Sequence, residues 1–153
     1  MIVVRSLSKA HGLAALRVGY MWMSKEVAKF YKQLDVPFEP TLYSAVLGVA
    51  AMTDYAFMNE LRETVRRSKK MAIAAFQDAE LKILPSEPTV SIITVQRAGG
   101  DVCKEMDNVS ILVERGSDFV QTHQGWNDGF CRIRMPAPQY MKEFCRRIRT
   151  LAP

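Results

Sequence analysis

No apolar run in the chain approaches the ~20 residues that a membrane-crossing helix requires. None of its 153 residues falls in an internal repeat or a low-complexity tract. Met1 leads directly into a strand-like run and then charged residues, so no secretory leader is expected. Cysteine is scarce: Cys103, Cys131 and Cys145 are odd in number and form no C-x-x-C pair. That argues against a disulfide frame or a metal site and for reduced thiols in a cytoplasmic protein. The net charge of +5 is modest. Arg66-Arg67, Lys69-Lys70 and Arg146-Arg147 with Arg149 could follow a phosphate backbone, but Glu60, Glu63 and Glu143 interleave with them. With no aromatic stacking platform or nucleic-acid motif beside them, they read as the solvated faces of two helices. Neither nucleic acid nor membrane is expected as a partner.

What is present is the composition of an ordinary globular protein, 48% apolar and 24% charged, and about one domain by length. The chain is organised around residues 6–20. Ile2-Val3-Val4 reads as a buried strand leading into Ser6-Leu7-Ser8-Lys9-Ala10-His11-Gly12-Leu13, and Arg17-Val18-Gly19-Tyr20 opens a second strand. A lysine at a strand end, flanked by hydroxyls and an arginine, suits a phosphate-bearing aldehyde. The amine can form a Schiff base, while serine and arginine hold a dianionic phosphate by charge-assisted hydrogen bonds.

The conjunction Ser-x-Ser-Lys-x-x-Gly-Leu followed by Arg-x-Gly-Tyr resembles the lysine segment of fold type I pyridoxal-phosphate (PLP) enzymes. The resemblance is especially to the histidinol-phosphate aminotransferase-like branch. That resemblance implies Lys9 as the Schiff-base lysine, and Ser6, Arg17 and more weakly Ser8 as phosphate ligands. His11 departs from the family, where Phe or Tyr is common.

Further along, Ser24 is placed to cap a short helix through residue 33, with Val27, Phe30, Tyr31 and Leu34 on one face. Pro37 and Pro40 bracket an extended connection, and Val36-Pro37-Phe38 again resembles the aminotransferase branch. Thr41 caps a helix to about Met52, apolar on most sides and therefore expected to be buried. Thr53 or Asp54 then starts a long amphipathic helix to about residue 79, its apolar stripe running through Phe57, Leu61, Val65, Ala72, Phe76 and Ala79. Strands are expected at 81–84, 89–95, 109–113 and 130–135, a short helix at 101–106 and a last helix at 138–151. Met141, Phe144, Ile148 and Leu151 form the buried face of that last helix.

Cys131-Arg132-Ile133-Arg134 sits on the last expected strand. Alternation places Arg132 and Arg134 on the same face; the family resemblance selects Arg132 as the ligand of the substrate α-carboxylate, a task suited to a planar fork. Ile111-Leu112-Val113-Glu114 resembles a segment where many relatives follow the valine with arginine. A carboxylate at that position disfavours an anionic substrate tail, histidinol phosphate included, and favours a cationic or polar one.

The implied fold is α/β, the C-terminal part of the PLP-dependent transferase fold. It comprises two strands of a large, mostly parallel sheet with the lysine loop (1–40), linking helices (41–80) and an α+β small domain (81–153). The family's upstream cofactor ligands fall outside this sequence, and Ile2, Val3, Val4, Val18, Tyr20 and Trp22 are expected as an uncovered apolar patch. The implied activity is transfer of an amino group between an amino acid and a 2-oxo acid, in a biosynthetic homodimer using PLP. A PLP-dependent decarboxylase or lyase, and a non-catalytic interaction module, are the alternatives.

Overall fold

Val3–Ser6 (β1) and Gly19–Trp22 (β2) pair antiparallel, with Val3 opposite Trp22 and Ser6 opposite Gly19. The close pairing requires glycine at position 19, where a Cβ would lie 2.5 Å from the Arg5 carbonyl oxygen. The computed structural model describes residues 1–34, 40–119 and 125–151. The Val36-Pro37-Phe38 connection lies outside them. Two units are distinguished, Met1–Glu60 and Leu61–Pro153.

In the first unit, α1 (Lys25–Tyr31) starts at Ser24, whose hydroxyl accepts from the Val27 amide at 3.4 Å. Its expected apolar face is not buried, since Phe30 and Leu34 are exposed. Helix α2 (Leu42–Thr53) starts at Thr41, whose hydroxyl accepts from the Ser44 amide at 3.1 Å. The expectation that α2 is buried is corrected: Leu42, Tyr43, Val46, Leu47, Val49 and Met52 are all exposed. Only a seam of small residues is covered. The Ser44 hydroxyl donates to the Leu16 carbonyl at 2.8 Å, and a Cβ at Gly48 would lie 3.5 Å from the side chains of Leu7 and Val18. Residues four apart share a helix face, so this narrow stripe meets the hairpin loop while the large side chains project elsewhere. β1 is likewise not a buried strand: of the residues expected as an uncovered apolar patch, Ile2, Val4, Tyr20 and Trp22 lie exposed, while Val3 and Val18 are half-buried.

Helix α3 (Tyr55–Asp78) begins with the Asp54 carboxylate accepting from the Phe57 amide at 2.9 Å. Its expected stripe is buried only in its second half, at Ala72, Phe76 and Ala79; Phe57 is exposed. It ends at Glu80, whose φ of +53° lets the Leu81 amide reach back to the Phe76 carbonyl at 2.9 Å. The second unit carries a four-stranded antiparallel sheet in the order β3 (Lys82–Ile83), β4 (Ile92–Gln96), β6 (Phe130–Arg134), β5 (Glu114–Arg115). Ile93 and Val95 of β4 and Cys131 and Ile133 of β6 point to one face and are buried. They share a core with α3, α4 (Val102–Asn108) and α5 (Met141–Arg149), in which Phe76 and Phe144 meet edge to face at 6.0 Å. Each such fully buried large side chain stabilises the unit by roughly 1.5–3 kcal/mol. The other sheet face carries Thr94, Gln96, Phe130, Arg132 and Arg134.

The strand expected over 109–113 is not formed. Residues 109–111 close α4 instead: Ser110 takes φ +57°, and the Ile111 amide donates to the Met106 carbonyl at 2.9 Å. Only Glu114 and Arg115 join the sheet, opposite Arg132 and Cys131. Among the described residues no helix is long and apolar enough to cross a membrane.

Candidate active site

The segment between β1 and β2 is closed on itself by its own backbone. The Leu7 amide donates to the Val18 carbonyl at 3.2 Å and the Leu13 amide to the Leu7 carbonyl at 3.1 Å. Leu7 is buried beneath α2, which anchors the loop's entry. Lys9 opens a turn whose closing bond runs from the Gly12 amide to the Lys9 carbonyl at 3.1 Å, with Gly12 at φ +69°. The Lys9 side chain is exposed. The Ser6 hydroxyl accepts from the Ser8 amide at 3.1 Å and keeps its own proton to donate elsewhere. Arg17 follows a 3-10 turn, Ala14–Leu16, and adopts φ +51°, a left-handed conformation that is uncommon outside glycine. One of its terminal nitrogens, Nη1, donates to the Ala14 carbonyl at 3.1 Å. Ser6, Ser8, Lys9 and Arg17 thus belong to one closed loop of the first unit. His11, in the same turn, has its Nδ1 buried with no hydrogen-bond partner among the described residues.

This donor set fits PLP. It offers an amine for the aldehyde, and a hydroxyl and an exposed guanidinium for the phosphate, on a backbone held by its own hydrogen bonds.

Arg132 lies in the second unit, in the centre of β6, with Thr94 opposite it on one side and Glu114 on the other. Its Nε donates to the Glu114 carboxylate, and its guanidinium carbon sits 4.5 Å from the centre of the Phe119 ring. Phe119 meets Trp126 edge-on at 5.9 Å, and Trp126 stacks on Phe130 at 5.4 Å. Arg134 shares the face but is more exposed. The expectation of Glu114 as a free carboxylate facing a substrate tail is therefore revised, since its charge is engaged by Arg132. The aromatic row was not foreseen, because its members come from two loops and a strand; Phe130 and Arg132, two apart on β6, were the one available signal.

Lys69 also departs from expectation. It does not lie on a solvated face but is 3% exposed, and its ammonium donates to the carbonyls of Glu87 at 2.6 Å and Val90 at 3.1 Å. Burial pulls its pKa down from the usual lysine range, partly offset by the Glu87 carboxylate. Arg147 likewise reaches inward, to the Val109 carbonyl at 3.2 Å.

Residues 1–148 match the aminotransferase class I and II family, and the chain belongs to it. Its fold is the corresponding part of the PLP-dependent transferase fold, and the branch it resembles is that of the histidinol-phosphate aminotransferases. The histidinol-phosphate aminotransferase of Moorella thermoacetica is 29% identical over 150 residues, covering 98% of this chain and 37% of the relative. The histidinol-phosphate aminotransferase of Sinorhizobium meliloti, solved in complex with pyridoxal-5'-phosphate, is similar with a TM-score of 0.72 at 19% identity, over 99% of this chain and 41% of that one. The L-threonine-O-3-phosphate decarboxylase of Porphyromonas gingivalis has the same TM-score, 0.72, at 18% identity, over 97% of this chain and 46% of that one. The chain thus spans less than half the length of each.

Proposed function

We propose that this chain is the C-terminal part of a PLP-dependent aminotransferase, contributing the cofactor-bearing lysine and the arginine that holds the substrate carboxylate. The observation that supports the reading is that Ser6, Ser8, Lys9 and Arg17 lie on one loop closed by its own backbone, in a chain matching the aminotransferase family over residues 1–148. Ser6 and Arg17, with Ser8 beside them, would hold the cofactor phosphate, and the Lys9 amine would attach its aldehyde carbon. When bound, PLP supplies a sink for the electron pair left at the substrate Cα. The Lys9 amine, when free, would serve as the base toward the substrate Cα proton. Arg132 would hold the substrate by its carboxylate.

In the intact enzyme, residues 1–40 belong to the cofactor-binding domain, 41–80 link it to the small domain, and 81–153 form that small domain. A cytoplasmic homodimer is the assembly proposed, supported by the exposed apolar residues of α2 and of the β1–β2 pair. A decarboxylase or other lyase is the second reading, because nothing in the lysine loop specifies which Cα bond breaks, and a decarboxylase has this fold to the same TM-score. A non-catalytic interaction module would keep the fold without the chemistry.

The test is addition of PLP to the purified chain, followed by borohydride reduction and peptide mapping. The reading expects a visible absorption band that Lys9→Ala abolishes and a label on Lys9. A label on Lys25 or Lys104 with Lys9 free overturns the lysine assignment, and absence of any band favours the interaction module. In an assembled enzyme, formation of a 2-oxo acid from the amino acid separates aminotransfer from release of carbon dioxide.

A further inference from the structure

We infer that Glu114 and Phe119 are positioning residues for Arg132, fixing its guanidinium so that the Nη1–Nη2 edge is the one offered to a carboxylate. The inference rests on the reading of Arg132 as the substrate-carboxylate ligand. A guanidinium has a side edge through Nε, an end edge through the two Nη atoms, and two faces. Glu114 takes Nε, and the guanidinium carbon lies over the Phe119 ring, 4.5 Å from its centre. Among the described residues nothing takes Nη1 or Nη2.

The clamp is anchored at both ends. Glu114 stands directly opposite Arg132 in the β5–β6 register, so the ladder itself brings the two side chains together. The next residue, Arg115, fixes the end of β5 through Asp107 at 2.6 Å and Asp128 at 3.2 Å. Phe119 is held by Trp126, and Trp126 by Phe130, which is two residues before Arg132 on the same strand face. The row therefore returns to the strand that carries the arginine. An unclamped arginine loses several free torsions on binding a ligand; one already held through Nε and packed over an aromatic ring loses fewer. An end-on carboxylate can make two parallel hydrogen bonds with the edge left open.

The clamp also limits specificity. With one oxygen of Glu114 bonded to Arg132, the pair presents less net negative charge to a cationic substrate tail than a free carboxylate would.

The decisive experiment follows the Arg132 Nε–Hε signal of the full, 15N-labelled chain by NMR, titrated with acetate at constant ionic strength and with acetamide as the neutral control. Glu114→Gln keeps an acceptor for Nε without the charge; Glu114→Ala removes both. The expected order of acetate affinity is Glu114→Gln at or above wild type, with Glu114→Ala about threefold or more below it. Phe119→Leu is expected to weaken acetate binding in the same direction. If both Glu114 variants bind acetate more tightly than wild type, Glu114 is a competitor for the site and the inference fails. Equal affinities in all three also overturn it. If acetate does not move the Arg132 signal of the wild-type chain, it is the carboxylate-ligand reading itself that falls.

Discussion

Lys69 and Glu87 are joined by a 2.6 Å hydrogen bond from a buried ammonium to a backbone carbonyl, eighteen residues further along the chain. The same ammonium also holds the Val90 carbonyl, so one side chain of α3 fastens both ends of the turn before β4. Glu87 keeps a second donor, the Val90 amide at 3.1 Å, whereas the Val90 carbonyl has no other donor among its described contacts. Lys69→Ala should therefore destabilise the second unit by about 1–3 kcal/mol, read as a lower urea midpoint. Because burial lowers the folded-state pKa, the unfolded chain binds more protons in the window between that pKa and 10.5. Wild-type stability gains from this group as pH rises through that window, and the deficit of Lys69→Ala should widen there. A deficit that shrinks with rising pH would show that Lys69 is held by its charge instead.

The lysine loop and the helices were legible because their determinants are local. Ser24, Thr41, Asp54 and Asp101 each cap a helix at or within a residue of the expected start. Burial was not legible where it depends on partners. The all-round apolar pattern of α2 does not say that only Ser44 and Gly48 will be covered. Residues 109–113 have strand composition, yet the Schellman-type closure of α4 at Ser110 takes precedence. The family resemblance named Arg132 but not its clamp, since Phe119 and Trp126 meet it only through tertiary packing.

Glu143 should report the acid limit of α5. Hydrogen bonds from Arg146 and Arg147 hold its carboxylate at a pKa of about 2, well below the ordinary 4.5. A depressed carboxylate stabilises the fold above its unfolded pKa and loses that contribution as pH falls through the folded value. Glu143→Gln should thus lower thermal stability at pH 6, and the gap from wild type should close between about pH 4.5 and 2. A gap that persists unchanged below pH 2 would assign the effect to packing.

His11 carries a buried Nδ1 without a partner among the described residues, a cost that phenylalanine avoids. In the cofactor-free chain, His11→Phe should slow exchange of the Leu7 and Leu13 amides, both bonded within the loop. The expected change is about fivefold, corresponding to about 1 kcal/mol. Faster exchange in the variant would mean that the imidazole is satisfied in solution and contributes to the turn.

The two units should differ sharply in how readily they open. Among the described residues of the first unit, only Leu7, Ser44 and Gly48 are buried, whereas the second has a continuous core built from α3, α4, α5 and the sheet. Opening free energy follows the apolar surface that must be exposed, so the hairpin and α2 lie at the low end. Amides of 3–22 and 42–53 should exchange at least about 100-fold faster than those of 72–79 and of β4 and β6 in a dilute, monomeric sample. Exposed strand edges and apolar helix faces are also surfaces that a second chain can cover. Raising the protein concentration should therefore slow exchange in the first unit selectively, with Ile2, Val4, Trp22 and the α2 residues Val46 and Val49 as the probes. Protection of the hairpin equal to that of 72–79 in the dilute monomer would show that its covering comes from within the chain. A concentration-dependent rise confined to the first unit would identify these residues as the interface of a homodimer.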